Sequence, residues 1–121
     1  MKINIKNLSI NYIKYGEGND IVLLHVWGQN IEMMLPIGDN FQNRFRITIL
    51  DFPGFGESEE PKEAWTIDDY ELMLEEFLKK VNVKKPIVIG HSFGGRVAIR
   101  YSARNPISKL VLFGSPCIRI Q

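Results

Sequence analysis

The sequence predicts an α/β fold: three layers, with a mostly parallel sheet of about six strands and helices on both of its faces. Three observations lead there. A continuous apolar run at Ile21–Leu24, the strand pattern of Arg46–Leu50 and the β-branched run at Ile87–Ile89 read as buried strands. Helical periodicity fills the intervals between them. Each of these runs ends in a polar or glycine-bearing loop, so His25, Asp51 and Ser92, like Ser115 after a last strand at Lys109–Phe113, follow the carboxyl end of a strand. In open parallel sheets that end is where ligands bind.

The elements follow in order. Lys2 to Ile10 alternates apolar and polar residues with a slip at Asn7, and Asn11 to Tyr15 alternates again. The pattern predicts two antiparallel strands at a sheet edge, with one face wet. Gly16 to Asp20 is a turn cluster, and Ile21–Leu24 is the central strand after it. Asn30 to Asn43 has a weaker helical pattern interrupted by Pro36 and Gly38, which predicts an irregular or broken helix. Arg46 to Leu50 is the next strand, followed by a long turn and an acidic loop through Glu63.

Thr66 opens the clearest helix. It is placed to cap the first turn, where Asp68 and Asp69 suit the positive end of the helix dipole. Ile67, Tyr70, Met73, Leu74, Phe77, Leu78 and Val81 form one apolar stripe, the periodicity of a helix packed on a core. Lys79 and Lys80 close the last turn. The helix that follows Ser92 runs to about Asn105 and is stopped by Pro106. Lys109 to Phe113 is a last strand.

The stretch from Ile87 to Gly95 organises the rest. A strand enters a turn at Gly90-His91-Ser92-Phe93-Gly94 and a helical pattern begins at once. A strand-to-helix turn this sharp places the serine in a sparsely populated backbone region. It also brings the residues two before and two after it so close that a Cβ would clash, which explains Gly90 and Gly94. The serine hydroxyl then stands clear of the sheet. The N-terminal N–H groups of the helix point to the same place and favour a developing negative charge.

Composition bounds the remaining possibilities. An apolar content of 45%, a charged content of 24% and a net charge of +1 are those of an ordinary globular domain, and they point away from nucleic acid. No apolar run is long enough to span a membrane and no signal-peptide pattern is present, so a cytoplasmic location is expected. Cys117, the single cysteine, has no partner for an internal disulfide and reads as a small apolar residue. Nothing in the chain calls for a metal, nucleotide or flavin cofactor. The pair Gly54 and Gly56 lacks the third glycine of a dinucleotide loop.

Three motifs, in this order, resemble those of the α/β-hydrolases, in the branch of small esterases and related C–C hydrolases. His25-Val26-Trp27-Gly28 resembles the His-Gly-x-Gly oxyanion loop. Asp51-Phe52-Pro53-Gly54-Phe55-Gly56-Glu57-Ser58 resembles the Asp-x-Pro-Gly-x-Gly-x-Ser turn. Gly90-His91-Ser92-Phe93-Gly94 resembles the nucleophile elbow. The resemblance covers essentially all of residues 1–121 and corresponds to the N-terminal part of that fold, without its lid and C-terminal strands. It implies that Ser92 is the nucleophile towards an ester-like small molecule, through an acyl-enzyme. The backbone N–H groups of Phe93 and Trp27 would form the oxyanion hole. His25 would orient that loop, with Gly28, Gly90, His91 and Gly94 in support. His91 is expected to be a packed, satisfied side chain, and Asp51 to be structural.

Two departures qualify the resemblance. Val26 stands where the family has glycine. A β-branched residue there is expected to cost on the order of 1–3 kcal/mol if positive φ is required, or to displace the Trp27 N–H. The second departure is larger. The triad of this fold runs Ser, then Asp or Glu, then His, yet no Asp, Glu or His follows Ser92. The catalytic acid and histidine are therefore absent from this sequence. The chain is expected to be part of a hydrolase, inactive alone or completed by a C-terminal polypeptide. The alternative is a non-catalytic binding or assembly module that keeps the scaffold. An apolar last strand left as an edge is expected to pair with that polypeptide or with another copy.

Overall fold

The computed structural model describes residues 1–114. The expectations for Ser115 and Cys117 lie outside that range. Six strands and three helices run in the order β1 (Lys2–Ile5), β2 (Leu8–Gly16), β3 (Asn19–Leu24), α1 (Ile31–Phe41), β4 (Phe45–Leu50), α2 (Ile67–Lys80), β5 (Ile87–His91), α3 (Phe93–Arg104) and β6 (Lys109–Phe113). They build one sheet in the spatial order β1-β2-β4-β3-β5-β6. The first two strands are antiparallel and β4, β3, β5 and β6 are parallel.

The alternation of side chains along each strand divides the core in two. Val22, Leu24, Leu50 and Val88 face α2 and α3, and meet Met73, Leu74, Phe77, Val97 and Ala98. Ile21, Leu23, Ile47, Ile49 and Ile89 face the other way, towards Ile31 and Met34 of α1. This is the expected three-layer arrangement, and each buried aliphatic side chain contributes on the order of 1.5–3 kcal/mol.

The N-terminal hairpin departs from the expected boundaries. Its turn falls at Lys6 and Asn7, both at positive φ (52° and 66°), so β2 begins at Leu8 and not after Ile10. The slip in the alternation at Asn7 was the turn itself. A two-residue loop with both residues left-handed suits the twist of the paired strands. The turn cluster after β2 is also shorter than expected, since β3 already begins at Asn19.

The first helix is not broken. It runs without interruption from Ile31 to Phe41 through Pro36. Pro36 and Glu32 are both exposed, so Pro36 stands on the exposed side of α1. Gly38 is buried against Tyr15 and Ile47, where a side chain would meet the Tyr15 hydroxyl. Its role is close packing of α1 on the sheet and not a break. Asn30 caps the helix by accepting from the Glu32 N–H at 3.0 Å.

Thr66 caps α2 as expected. It forms a reciprocal box, with its hydroxyl accepting from the Asp69 N–H and the Asp69 carboxylate accepting from the Thr66 N–H. Among the described residues no helix is long and apolar enough to cross a membrane.

Candidate active site

Strand addition reverses about β3: β4 lies on one side of it and β5 on the other. The loops after β3 and β5 therefore adjoin at the carboxyl end of the sheet, the crevice that such topologies offer to ligands. The first of these loops is His25–Gly28 and the second is the turn at Ser92.

Ser92 is half-buried at the junction of β5 and α3, with φ 55° and ψ −111°. A non-glycine residue held there costs on the order of 1–3 kcal/mol. The surroundings impose it. A Cβ on Gly90 would lie 2.6 Å from the Gly94 carbonyl oxygen and from Gly95 Cα, and one on Gly94 would run into the Leu24 carbonyl. The elbow thus packs backbone to backbone on the end of β3. The Ser92 N–H donates to the Phe113 carbonyl at 3.1 Å, which ties the turn to β6. The Ser92 side chain does not cap α3, so its hydroxyl is not consumed by the helix it precedes.

The loop after β3 is held by His25. The ring is fully buried. Its Nε2 accepts from the Phe52 N–H at 2.9 Å, and its Nδ1 is 2.7 Å from the Val26 carbonyl. With Nε2 accepting, Nδ1 carries the proton and donates to Val26. Burial holds the ring below the usual imidazole range, so it stays neutral in this role. His25 therefore clamps its own loop to the turn after β4. Val26 is absent from the positive-φ residues, and Gly28 takes that conformation instead, at φ 82°. The strain expected at Val26 is not present, because the loop places its left-handed residue two positions later.

The turn after β4 is built on Asp51. One carboxylate oxygen accepts from the Ile31 N–H at 2.7 Å; the other accepts from the Glu57 N–H at 2.9 Å and from Asn11 Nδ2 at 3.0 Å. Ser58 closes the turn by donating to the Asp51 carbonyl at 2.7 Å. Asp51 is thus fully engaged in holding the turn together.

His91 is packed as expected, with its ring stacked on Phe113 at 4.3 Å between centroids. It is not satisfied, because its Nδ1 is buried without a partner among the described residues.

An aromatic cluster surrounds the two loops and was not legible as a unit in the sequence. Phe93, next to Ser92, packs edge to face with Trp27 (4.9 Å), Phe52 (5.4 Å) and Tyr70 (5.2 Å). Trp27 also meets Phe55 at 4.6 Å and stays 55% exposed. Tyr70 read as an ordinary member of the α2 stripe. The only earlier signal was an aromatic residue in each loop at the carboxyl end of the sheet.

The sheet order and the adjoining loops after β3 and β5 define an open α/β scaffold, and comparison with known proteins agrees. The family described as alpha/beta hydrolase fold matches residues 20–120, and this chain belongs to it. Esterases are among its relatives. The chain is 32% identical over 114 residues to a pimeloyl-[acyl-carrier protein] methyl ester esterase of Aeromonas hydrophila, covering 91% of this chain and 43% of that protein. It is 34% identical over 106 residues to a 1-acylglycerol-3-phosphate O-acyltransferase of Arabidopsis thaliana, covering 78% of this chain and 24% of that one. Among solved structures, an alpha/beta hydrolase fold protein from Burkholderia ambifaria superimposes with a TM-score of 0.91 at 23% identity, over 100% of this chain and 46% of that one. A membrane phospholipase A described as a bacterial virulence factor superimposes with a TM-score of 0.88 at 26% identity, over 93% and 38%. The chain spans less than half the length of these relatives.

Proposed function

We propose that this chain carries the nucleophile and oxyanion-binding part of a serine hydrolase acting on an ester-like carbonyl. The observation that carries the reading is Ser92 in the left-handed region at the apex between β5 and α3, with glycines where a Cβ would clash. The Ser92 Oγ attacks the carbonyl carbon, its proton passes to a base, and the alcohol leaves to give an acyl-enzyme that water then cleaves. The N–H groups of Phe93 and Trp27 receive the oxyanion, each worth on the order of 3 kcal/mol of barrier lowering. The esterases among the relatives favour an ester over other acyl compounds.

The base is the open part of the mechanism. Both nitrogens of His25 are spent on backbone groups, and His91 is stacked on Phe113 with Nδ1 buried. No Asp, Glu or His follows Ser92 in the sequence. The reading therefore has the base and its orienting carboxylate supplied by polypeptide outside these 121 residues.

The test uses 4-nitrophenyl acetate and a fluorophosphonate probe. From the chain alone only weak, slow release and slow, partial probe adduction at Ser92 are expected, since no base in these residues activates the hydroxyl, and both vanish in Ser92→Ala. Full burst kinetics abolished by Ser92→Ala would overturn the external base. Both histidines are engaged, His25 with backbone groups and His91 with Phe113, which favours a second reading, a non-catalytic binding module. In that case the probe would leave Ser92 unmodified and Ser92→Ala would leave partner binding unchanged.

A further inference from the structure

The net charge of +1 is unevenly placed. At the carboxyl end of the sheet, the loop after β4 and the first turn of α2 carry Glu57, Glu59, Glu60, Glu63, Asp68 and Asp69 against Lys62 alone. The other end is the reverse. Arg44 precedes β4, Lys84 and Lys85 precede β5, Lys109 opens β6 and Lys79 lies in the last turn of α2. The parallel register pairs Asn19 with Phe45, Ile21 with Ile87 and Ile87 with Lys109, so these starts lie side by side. All five cations are exposed, and none is in an ion pair among the described residues. The carboxylates of this end do little to offset them. Asp20 is buried and held by Arg46 at 2.7 and 3.1 Å, Glu76 is shared by Lys6 and Lys80, and Asp39 accepts from the Tyr15 hydroxyl, while Glu17 is exposed. Beside Arg44, whose N–H donates to the Phe41 carbonyl, the Phe41 side chain is 42% exposed.

We propose that this basic end docks on an anionic membrane surface, with Phe41 entering among the headgroups. The charge of the patch calls for an anionic partner, and its make-up selects which one. Four of the five cations are lysines, mobile point charges that suit a diffuse negative surface, whereas arginine forks read individual phosphates. An exposed phenylalanine gains from the interfacial region of a bilayer, and a soluble polyanion offers it no apolar phase. The platform beneath the cations is stiff. Asp20 also accepts from the Lys84 N–H at 3.2 Å, Arg46 donates to the Asn82 carbonyl at 3.3 Å, and the Ser108 hydroxyl donates to the Lys85 carbonyl at 2.7 Å. The contact is peripheral, since no described helix is long and apolar enough to cross a membrane. Ser92 lies at the opposite end of the sheet, so the docked chain keeps it turned to solution, and docking is independent of the reading of Ser92.

Co-sedimentation of the 121-residue chain with lipid vesicles tests it. Binding to phosphatidylcholine vesicles with about 30% phosphatidylserine is expected to be at least about tenfold tighter than to phosphatidylcholine alone, and to be lost at about 0.5 M NaCl. Lys84→Glu and Lys62→Glu change the net charge equally at opposite ends of the molecule. Lys84→Glu, and separately Lys109→Glu, is expected to weaken binding about fivefold with the melting temperature unchanged, whereas Lys62→Glu leaves it within about twofold. Phe41→Ser is expected to weaken vesicle binding about threefold or more while leaving retention on heparin unchanged. No preference for the anionic vesicles, an equal loss in Lys62→Glu, undiminished binding in Lys84→Glu and Lys109→Glu or in Phe41→Ser, or displacement from the vesicles by an equal concentration of duplex DNA phosphate would overturn the proposal.

Discussion

Ser92 and the groups around it show how much local energy this molecule commits to one turn. A side chain at φ 55° and ψ −111° has no local reason to be there, since the serine makes no cap bond to the helix it precedes. The conformation persists because β5 and α3 hold both flanks and because Gly94 lies directly on the end of β3. Two outcomes follow. Ser92→Gly is expected to stabilise the fold by about 1 kcal/mol, because glycine accepts this region freely. Ser92→Ala is expected to leave stability nearly unchanged, because its Cβ keeps the strain. Thermal melts of the two variants beside the parent decide it, and a Ser92→Gly no more stable than Ser92→Ala would refute stored strain. Gly94→Ala is the converse, expected to destabilise by about 3 kcal/mol through a clash with main chain that cannot yield.

Helices α2 and α3 meet through an interface that is not wholly apolar. Glu71 is fully buried in α2, and Arg104 of α3 donates to its Oε1 at 3.2 Å. Burial first, then the neighbouring Glu75, pushes the Glu71 carboxyl up to about 7. Glu75 is held below the usual carboxylate range, chiefly by its hydrogen bond with Glu71 and also by Asn105. Glu71 Oε2 is buried without a partner, which disfavours the carboxylate, whereas the protonated acid can share a hydrogen bond with Glu75. A folded-state pKa raised above the unfolded value means a contribution that is complete below about 4.5 and lost as pH rises through about 7. Glu71→Gln keeps the shape and removes the ionisation. It is expected to be more stable than the parent above neutrality by about 1–3 kcal/mol, with the difference vanishing in acid. Melting temperatures across pH read this directly, and parallel curves for the two proteins would rule it out. Since α3 begins at Phe93, the same interface anchors the helix that holds the elbow.

The whole molecule is a sheet with two unlike edges. At one, β1 is a short antiparallel strand covered in part by α2, with Lys2 donating to the Glu57 carbonyl and Lys80 to the Asn4 carbonyl. At the other, β6 pairs only with β5 among the described residues, and Leu110, Val111, Leu112 and Phe113 are only partly buried. An apolar edge with unpaired N–H and carbonyl groups is a template for another strand. The isolated chain is therefore expected to self-associate through this edge at micromolar concentrations. Sedimentation velocity over a dilution series tests it, and a monomer whose sedimentation coefficient does not change with concentration would exclude it.

Much of this architecture was legible from periodicity, because it depends on contacts that repeat along the chain. Buried runs marked β3, β4 and β5, the apolar stripe marked α2, and Thr66 marked its start. The turn at Ser92 was legible because its steric demand is local: only glycine fits at 90 and 94. Three things were decided by tertiary structure. Pro36 leaves α1 intact and stands on its exposed side. Val26 carries no left-handed strain because Gly28 takes the loop's positive φ. The aromatic cluster of Trp27, Phe55, Tyr70 and Phe93 draws on four separate positions along the chain, and no spacing foretells that they converge. Local sterics and hydrophobic period are written in neighbouring residues, whereas the partner of a buried histidine or the neighbours of an aromatic ring exist only once the sheet has brought distant loops to the same end.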